Sequence, residues 1–267
     1  MKVLNKSTIY LSFIIKQNLN HLAMKNKYII IILGLLSFYY SNAQQIDTIK
    51  TSKGDLYIHL LGHGSLMFEF KGNVIHIDPY SKVADYTKLP KADLILITHH
   101  HGDHLDSMAL SLIYKDKTKM YWTEQCQKNS KFKANASLVK SGDKFKFNKI
   151  QIEVVPAYNI VNKRPNGTPF HPVGEGFGYI LTFGNQRVYV AGDTENIPEM
   201  KTFGKIDIAF LPVNLPYTMN PDMFVDAARM IKPRILYPYH FGKTDMQKLI
   251  EMLKDDKGMN VRLRKME

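Results

Sequence analysis

The chain has 267 residues, with 45% hydrophobic and 22% charged side chains, which is enough for one large globular domain or two small ones. Its formal net charge is +12, but the basic residues are spread along the chain and form no block interleaved with aromatic residues, so a nucleic-acid-binding groove is not expected. The single cysteine, Cys126, excludes an intramolecular disulfide and a zinc site built from several cysteines.

The N-terminal segment has the order of a secretory signal. The basic residues Lys25 and Lys27 precede an apolar run over 28–40, and residues 41–43 supply the small side chains at which a signal peptidase cuts. The apolar run is shorter than the roughly 20 residues that span a bilayer. Met1 and Met24 are both candidate starts of translation, because Met24 directly precedes the basic residues.

We therefore predict that residues 1–43 are a signal peptide with its preceding residues, cut between Ala43 and Gln44. The remaining residues, 44–267, are expected to form one domain in the periplasm or outside the cell, with no stable membrane anchor. A retained membrane anchor is the alternative to cleavage.

Three short strands are predicted next, over residues 55–61, 66–70 and 74–77, because each is apolar and bounded by turn residues. The turn at 62–65 reads Gly-His-Gly-Ser. The third strand ends at Asp78, before a proline that stops it. A carboxylate in that place can support a metal-bound histidine, or it can simply form the turn.

A cluster of histidines follows the next predicted strand, at 94–97, and precedes a helical pattern over 105–113. Residues 99–104 read His-His-His-Gly-Asp-His, so four of the ten histidines of the chain fall within six positions. Packed imidazoles would repel one another once protonated, which makes an ordinary solvated loop a poor explanation. Imidazole and carboxylate are common ligands of Zn²⁺, so the spacing predicts a metal site.

The pattern His-x-His-x-Asp-His directly after a strand resembles the signature of the metallo-β-lactamase superfamily of metal-dependent hydrolases. The resemblance implies an α+β fold, the four-layer αβ/βα sandwich, with one or two metal ions at its edge. It also implies that Asp78 supports the metal site. The turn around His63 is similar to that of the branch that includes sugar-phosphate lactonases, which places His63 at the rim of the site.

The third histidine ligand of this family commonly follows the strand predicted here over 150–156. This chain has Tyr158 and Asn159 at that place, and the long loop that continues to residue 176 contains one histidine, His171. The resemblance therefore implies His171 as the ligand. The alternative is that the first metal lacks this ligand.

A predicted hairpin over 177–183 and 187–191 leads into Gly192-Asp193-Thr194, followed by a helix-like segment. An aspartate there can cap a turn. By resemblance, Asp193 is the carboxylate that bridges two metal ions.

The last predicted elements are a strand over 206–212, a helix over 221–231 with Asn220 as its N-cap, and a strand over 234–239 that ends at His240. The resemblance makes His240 a ligand of the second metal. The segment after residue 212 contains Tyr217, which we place on the rim of the pocket. A helix over 245–254 and a strand over 260–264 complete the chain.

The resemblance implies a complete ligand set and a mechanism. One ion is assigned to His99, His101 and His171, the other to Asp103, His104 and His240, and Asp193 bridges them. The expected cofactors are two divalent ions, Zn²⁺ first, with Mn²⁺ or Fe²⁺ as alternatives. A hydroxide formed from water between them would attack an ester, lactone or phosphodiester of a small molecule, with Asp103 as the catalytic residue that orients it. The oligomeric state is left open.

Three further hypotheses share the fold. A non-catalytic metal- or ligand-binding protein would be favoured if the third ligand were lost. A β-lactamase is compatible with the fold, since fold does not settle substrate. A redox protein of the flavodiiron type normally has a glutamate in the first motif, where this chain has His101, and a separate flavin domain, which the sequence does not contain.

Overall fold

The computed structural model describes residues 45–266, which form two mixed β-sheets of seven strands each. The predicted signal segment and its cleavage site lie outside the described residues. The first sheet consists of β1 Gln45–Thr51, β2 Gly54–Gly62, β3 Ser65–Phe70, β4 Asn73–Ile77, β5 Leu94–Leu96, β6 Lys119–Trp122 and β7 Ser137–Leu138. The second consists of β8 Lys144–Phe147, β9 Ile150–Ala157, β10 Gly176–Phe183, β11 Gln186–Val190, β12 Ile208–Pro212, β13 Ile235–Tyr239 and β14 Asn260–Val261.

The two sheets repeat one topology. In the first sheet, β1 to β4 are antiparallel, and β5, β6 and β7 then add in parallel. In the second, β8 to β11 are antiparallel, and β12, β13 and β14 add in parallel. The carboxyl ends of neighbouring parallel strands meet at one edge of a sheet, which is where ligand sites are commonly found in such sheets.

Four α-helices are described: α1 Ser107–Ile113, α2 Glu124–Asn129, α3 Pro221–Ile231 and α4 Met246–Leu253. The predicted cap of α3 is confirmed, because the Asn220 side chain accepts a hydrogen bond from the Met223 backbone N–H, with Pro221 at the first helical position. None of the described helices is both long and apolar enough to cross a membrane.

Helices pack against both sheets. Buried side chains of α1, such as Leu110, pack with Ile95 and other residues on the outer face of the first sheet. Buried side chains of α3 and α4, such as Phe224 and Leu249, join a second core that includes residues of both sheets. The order helix, sheet, sheet, helix confirms the predicted αβ/βα sandwich.

Four elements differ from the prediction. The helix-like segment after Asp193 is a 3₁₀ helix, Pro198–Thr202. The last strand, β14, ends at Val261 rather than at residue 264. Strands β1 and β7 were not predicted, because neither has a strong apolar alternation: Ile49 is the buried residue of β1, and β7 consists of two exposed residues. Their positions depend on pairing with neighbouring strands.

His76 on β4 makes the stability of the protein depend on pH. It is fully buried, and its ring lies 3.1 Å (Nε2) from the Pro90 carbonyl oxygen. Burial lowers the pKa of His76 to about 4, so this side chain stays neutral in the folded protein. The unfolded chain takes up the proton near the ordinary histidine pKa, so the stability contributed by neutral His76 is lost as the pH falls from about 6.5 toward 4.

Between pH 7 and pH 4.5, we expect the free energy of unfolding to fall by about 2–3 kcal/mol less in the variant His76→Gln than in the native protein. Urea unfolding at the two pH values measures the difference. Other acid-sensitive groups contribute equally to both proteins, so they cancel in the comparison. An identical loss in both proteins would contradict the assignment of this effect to His76.

Candidate metal centre

The predicted ligands come from four separate parts of the chain and meet at the edge where parallel strands end. The segment after β5 supplies residues 99–104, and the loop between β9 and β10 supplies His171. Asp193 follows β11, and His240 follows β13. His99, His104, His171, Asp193 and His240 are buried, whereas His101 and Asp103 are half-buried. Polar groups of this kind do not remain buried together without partners.

One group of four side chains converges around Asp193. Its members, whose candidate ligand atoms all lie within 4.8 Å of one another, are His99, His101, His171 and Asp193. The Nδ1 atom of His101 lies 3.1 Å from His99 Nε2 and 3.2 Å from His171 Nε2. The Oδ2 atom of Asp193 lies 3.3 Å from His171 Nε2 and 3.8 Å from His99 Nε2. The loop histidine, His171, therefore lies with the histidines of the first motif.

The second group consists of His63, Asp103, His104 and His240, again with ligand atoms within 4.8 Å of one another. Its Nε2 atoms also face Asp193: that of His104 is 3.4 Å from Oδ1, and that of His240 is 3.5 Å from Oδ2. Asp103 Oδ2 lies 2.9 Å from His63 Nε2 and 3.6 Å from His240 Nε2. Asp193 thus lies between the two groups, in the arrangement expected of a shared ligand.

His63 lies closer to the centre than its predicted position on the rim. It has a positive φ of 51°, and its ring is 3.7 Å from that of His240, centroid to centroid. A side chain at Gly64 would not fit there, because a Cβ atom would come within 2.7 Å of the His104 ring. The Gly-His-Gly sequence of this turn is the signal that could have placed His63 inside the site.

Unpartnered buried atoms show that the two groups fit cations. His104 Nε2, Asp193 Oδ1 and His240 Nε2 are buried without a hydrogen-bond partner, which is costly in a protein interior. His104 Nδ1 lies 2.8 Å from Asp78 Oδ2, and His171 Nδ1 lies 2.7 Å from Asn159 Oδ1. A carboxylate or amide oxygen accepts the Nδ1 proton, which directs Nε2 toward Asp193. Such outer contacts commonly orient metal ligands.

The charges of the centre follow from burial and from neighbouring groups. Burial and the nearby His104 hold the pKa of His99 well below its ordinary value, and burial lowers the pKa of His101 to about 4. Burial opposes protonation of His104 as well, but Asp193 and Asp78 outweigh it and raise the pKa of His104 to about 10. His99 and His101 therefore offer free lone pairs at neutral pH, while a cation must displace a proton from His104.

Asp78, which was predicted to support the site, is fully buried beside His104. Its carboxylate also accepts hydrogen bonds from the Thr98 backbone N–H at 2.8 Å and from the Thr98 hydroxyl at 2.6 Å. Two donors of Thr98 therefore fix the Asp78 carboxylate, which in turn orients the His104 imidazole. Tyr217, which was predicted on the rim, is 46% exposed.

Glu195 organises the loop that carries His171, and sequence reasoning missed it. Its buried carboxylate accepts hydrogen bonds from the backbone N–H groups of residues 160, 161 and 162, each at 2.7 Å. It also lies 3.1 Å from the Asn159 side-chain nitrogen, and Asn159 accepts from the His171 backbone N–H at 2.9 Å. The contacts of Glu195 join residues 33 to 36 positions apart, so no local pattern could indicate them.

We expect Asn159→Ala to weaken cation binding at the His171 group by about 10- to 100-fold, because it removes the acceptor that orients the imidazole. Competition with a chromogenic chelator measures the affinity. The matched control is Asn162→Ala in the same loop, whose side chain donates to the Thr218 carbonyl rather than to a histidine. If both variants lost the same affinity, orientation of His171 by Asn159 would be refuted.

The chain is similar to known proteins of one family. The family model described as the Beta-lactamase superfamily domain matches residues 57–240, a range that includes every predicted ligand. UPF0173 metal-dependent hydrolases are similar over most of their length. That of Thermus thermophilus is 30% identical over 192 residues, covering 69% of this chain and 83% of its own.

Two solved structures are also similar to this chain. The chain is 47% identical to a protein of Parabacteroides distasonis that carries the name metal-dependent hydrolase, with a TM-score of 0.79, and the match covers 84% of this chain and 100% of the other. A metallo hydrolase of Ignicoccus hospitalis is 24% identical, with a TM-score of 0.63 over 79% of this chain and 95% of the other, and shares the fold.

Proposed function

The chain belongs to the metallo-β-lactamase superfamily and is a metal-dependent hydrolase, and we propose that it cleaves an ester, lactone or phosphodiester bond of a small molecule. The observation that carries the proposal is the position of Asp193 between two groups of imidazoles and carboxylates. A carboxylate has two oxygens and can serve two cations at once. This arrangement suits a centre for two divalent ions.

The two groups support the ligand set predicted from the sequence, with His63 as an additional member of the second group. His99, His101 and His171 would hold one ion, Asp103, His104 and His240 the other, and Asp193 both. Zn²⁺ is our proposal for the metal, since nitrogen and oxygen donors suit it; Mn²⁺ and Fe²⁺ are the alternatives. Bound there, two divalent ions supply Lewis acidity and lower the pKa of water toward neutrality.

Asp103 is the proposed catalytic residue. Burial opposes its ionisation, but the neighbouring imidazoles of His240 and His63 hold the pKa of Asp103 far below its ordinary value. Its side chain is 33% exposed, so a water molecule can reach it. A permanently ionised carboxylate accepts a hydrogen bond and orients a nucleophile, but it is a poor base. His63 would keep Asp103 in place.

The experiment is a turnover assay of the metal-loaded protein with bis-p-nitrophenyl phosphate, p-nitrophenyl acetate and a panel of lactones. We expect turnover of at least one substrate, and loss of it in the chelator-treated protein and in His101→Ala. Rates equal to those of the metal-free protein for every substrate would overturn the proposed bond classes. The same panel with a β-lactam tests the β-lactamase hypothesis, which no observation favours specifically.

Neither a non-catalytic binding protein nor a flavodiiron redox protein is supported by the described structure. Loss of the third histidine ligand would have favoured the non-catalytic hypothesis, but His171 Nε2 lies 3.2 Å from His101 Nδ1. No flavin domain accompanies the two sheets within residues 45–266. Hydrolysis is therefore the function that this centre supports best.

We also propose that the protein works in the periplasm or outside the cell after cleavage between Ala43 and Gln44. The order of basic, apolar and small residues before Gln44 supports this. N-terminal sequencing of the exported protein tests it, with Gln44 expected as the first residue. Recovery of residues before Gln44 would refute cleavage at that place.

A further inference from the structure

Two loops beside the metal centre expose apolar side chains. Nine large hydrophobic side chains are exposed among the described residues, and five of them lie in these loops. The five, which we call the apolar rim, are Ile160 (46% exposed), Val161 (63%), Val173 (73%), Leu215 (52%) and Tyr217 (46%). Single exposed apolar residues are normal on a protein surface, but five of nine in two loops that adjoin one site indicate binding.

The rim is attached directly to the metal centre. Asn159, the residue before Ile160, holds the His171 ring. Asn214, the residue before Leu215, places its side-chain nitrogen 3.3 Å from His240 Nδ1. Each loop therefore begins at a side chain that touches a predicted ligand and continues into the rim within one residue. The rim therefore belongs to the same two loops that hold predicted ligands in place.

The two loops form one fixed surface. The Asn159 side chain donates to the Tyr217 carbonyl at 2.9 Å, and the Asn162 side chain donates to the Thr218 carbonyl at 2.8 Å. The Phe170 and Tyr217 rings pack edge to face with centroids 5.2 Å apart. The exposure of the rim is thus part of a hydrogen-bonded structure. A preformed apolar surface binds a hydrocarbon group without the entropic cost of ordering a loop.

The charges around the rim favour an anion. The loop over residues 158–175 contains two basic side chains, Lys163 and Arg164, and one acidic side chain, Glu175, at the end that joins β10. Residues 213–219 contain no charged side chain. The Arg164 guanidinium lies over the Phe170 ring at 4.9 Å, so a cation is fixed within the same loop. An apolar group bound on the rim would lie near positive charge.

We propose that the substrate of this centre is an anionic amphiphile, whose hydrocarbon group lies on the apolar rim while its anionic group lies at the metal centre near Lys163 and Arg164. This inference rests on the proposed function, because it assigns a substrate class to the same centre. It attributes one part of the binding affinity to the apolar rim and another part to the metal centre.

The test measures binding without turnover. Alkyl phosphates from methyl to octyl phosphate are titrated into the metal-loaded protein by calorimetry, at concentrations below micelle formation. The affinity is expected to rise by about two- to fourfold for each methylene that the rim covers. Equal affinities for methyl and octyl phosphate would overturn the proposal.

Matched variants locate the effect. The rim double variant Ile160→Asn with Tyr217→Ser is expected to lose about tenfold in affinity for octyl phosphate and to keep its affinity for methyl phosphate. The control is Ile46→Asn with Tyr57→Ser, the same changes at residues that are 50% and 43% exposed elsewhere on the surface. It should bind both ligands as the native protein does. The same loss in both double variants would overturn the role of the rim.

The anionic part of the proposal has its own control. Lys163→Glu is expected to weaken binding of every alkyl phosphate by a similar factor, about threefold, and more at low salt. Lys117→Glu, at another exposed lysine, should have no effect. Unchanged binding by Lys163→Glu would refute the contribution of this loop to anion binding.

The outcomes separate the two proposals. Affinity that increases with chain length, in a protein that hydrolyses none of the tested bond classes, would remove the proposed reaction and retain the ligand class. Turnover of short substrates together with affinity independent of chain length would retain the reaction and remove the amphiphile.

Discussion

Replacing Asp193 with alanine is expected to lower kcat/KM by on the order of 10³-fold and to remove cations from both groups, because one carboxylate faces the imidazoles of each. Its oxygens lie 3.3 Å from His171 Nε2 and 3.4 Å from His104 Nε2. Without it, these buried rings lose the negative charge that compensates for a cation. Steady-state kinetics and metal content per chain measure the two effects.

A matched control separates this loss from a general effect of removing a buried carboxylate. Asp207 is 5% exposed at the start of β12, the opposite end from the metal centre, and accepts from the Arg187 backbone N–H at 2.9 Å. Asp207→Ala is expected to be less stable than the native protein but to keep its metal content. Retention of metal and activity in Asp193→Ala would refute a shared ligand at that position.

The second large effect is expected at Asp78. Asp78→Ala would leave the His104 ring and the Thr98 backbone N–H without their buried acceptor, at a cost of about 3–5 kcal/mol in the free energy of unfolding. Affinity for the cation at the His104 group should fall about 10- to 100-fold. Urea unfolding and chelator competition measure the two quantities.

A conservative variant distinguishes orientation from folding. Asp78→Asn keeps the volume of the side chain and an oxygen that accepts from the Thr98 backbone N–H. It removes the charge beside His104, so most of the stability should return while the metal affinity stays low. Full recovery of metal affinity in Asp78→Asn would contradict the proposed electrostatic support of His104.

The sequence indicated the part of the site whose residues are neighbours along the chain. The motif at 99–104 directly follows a predicted strand, so its density of histidines is visible without a structure. Asp193 and His240 stand at the ends of predicted strands, but only the resemblance assigned them to the same centre. The structure brings them together because β11 and β13 are parallel neighbours of β12 and end at one edge.

Features that depend on distant contacts could not be predicted. Glu195 meets the backbone of Ile160 across the hairpin of β10 and β11, and Asn214 meets His240 across a helix and a strand. Neither contact leaves a periodic pattern in the chain. Strand β1 shows the same limit, since its Asp47 is held by Tyr237, Arg262 and Arg264 from the other end of the sequence.

The most direct test of the metal centre is the anomalous difference density of a crystal of the metal-loaded protein. The account predicts two peaks, one about 2.0–2.3 Å from nitrogen atoms of His99, His101 and His171, the other equally near His104, His240 and Asp103, with an Asp193 oxygen close to both. Density elsewhere, or none at these residues in a protein that hydrolyses its substrate, would contradict it.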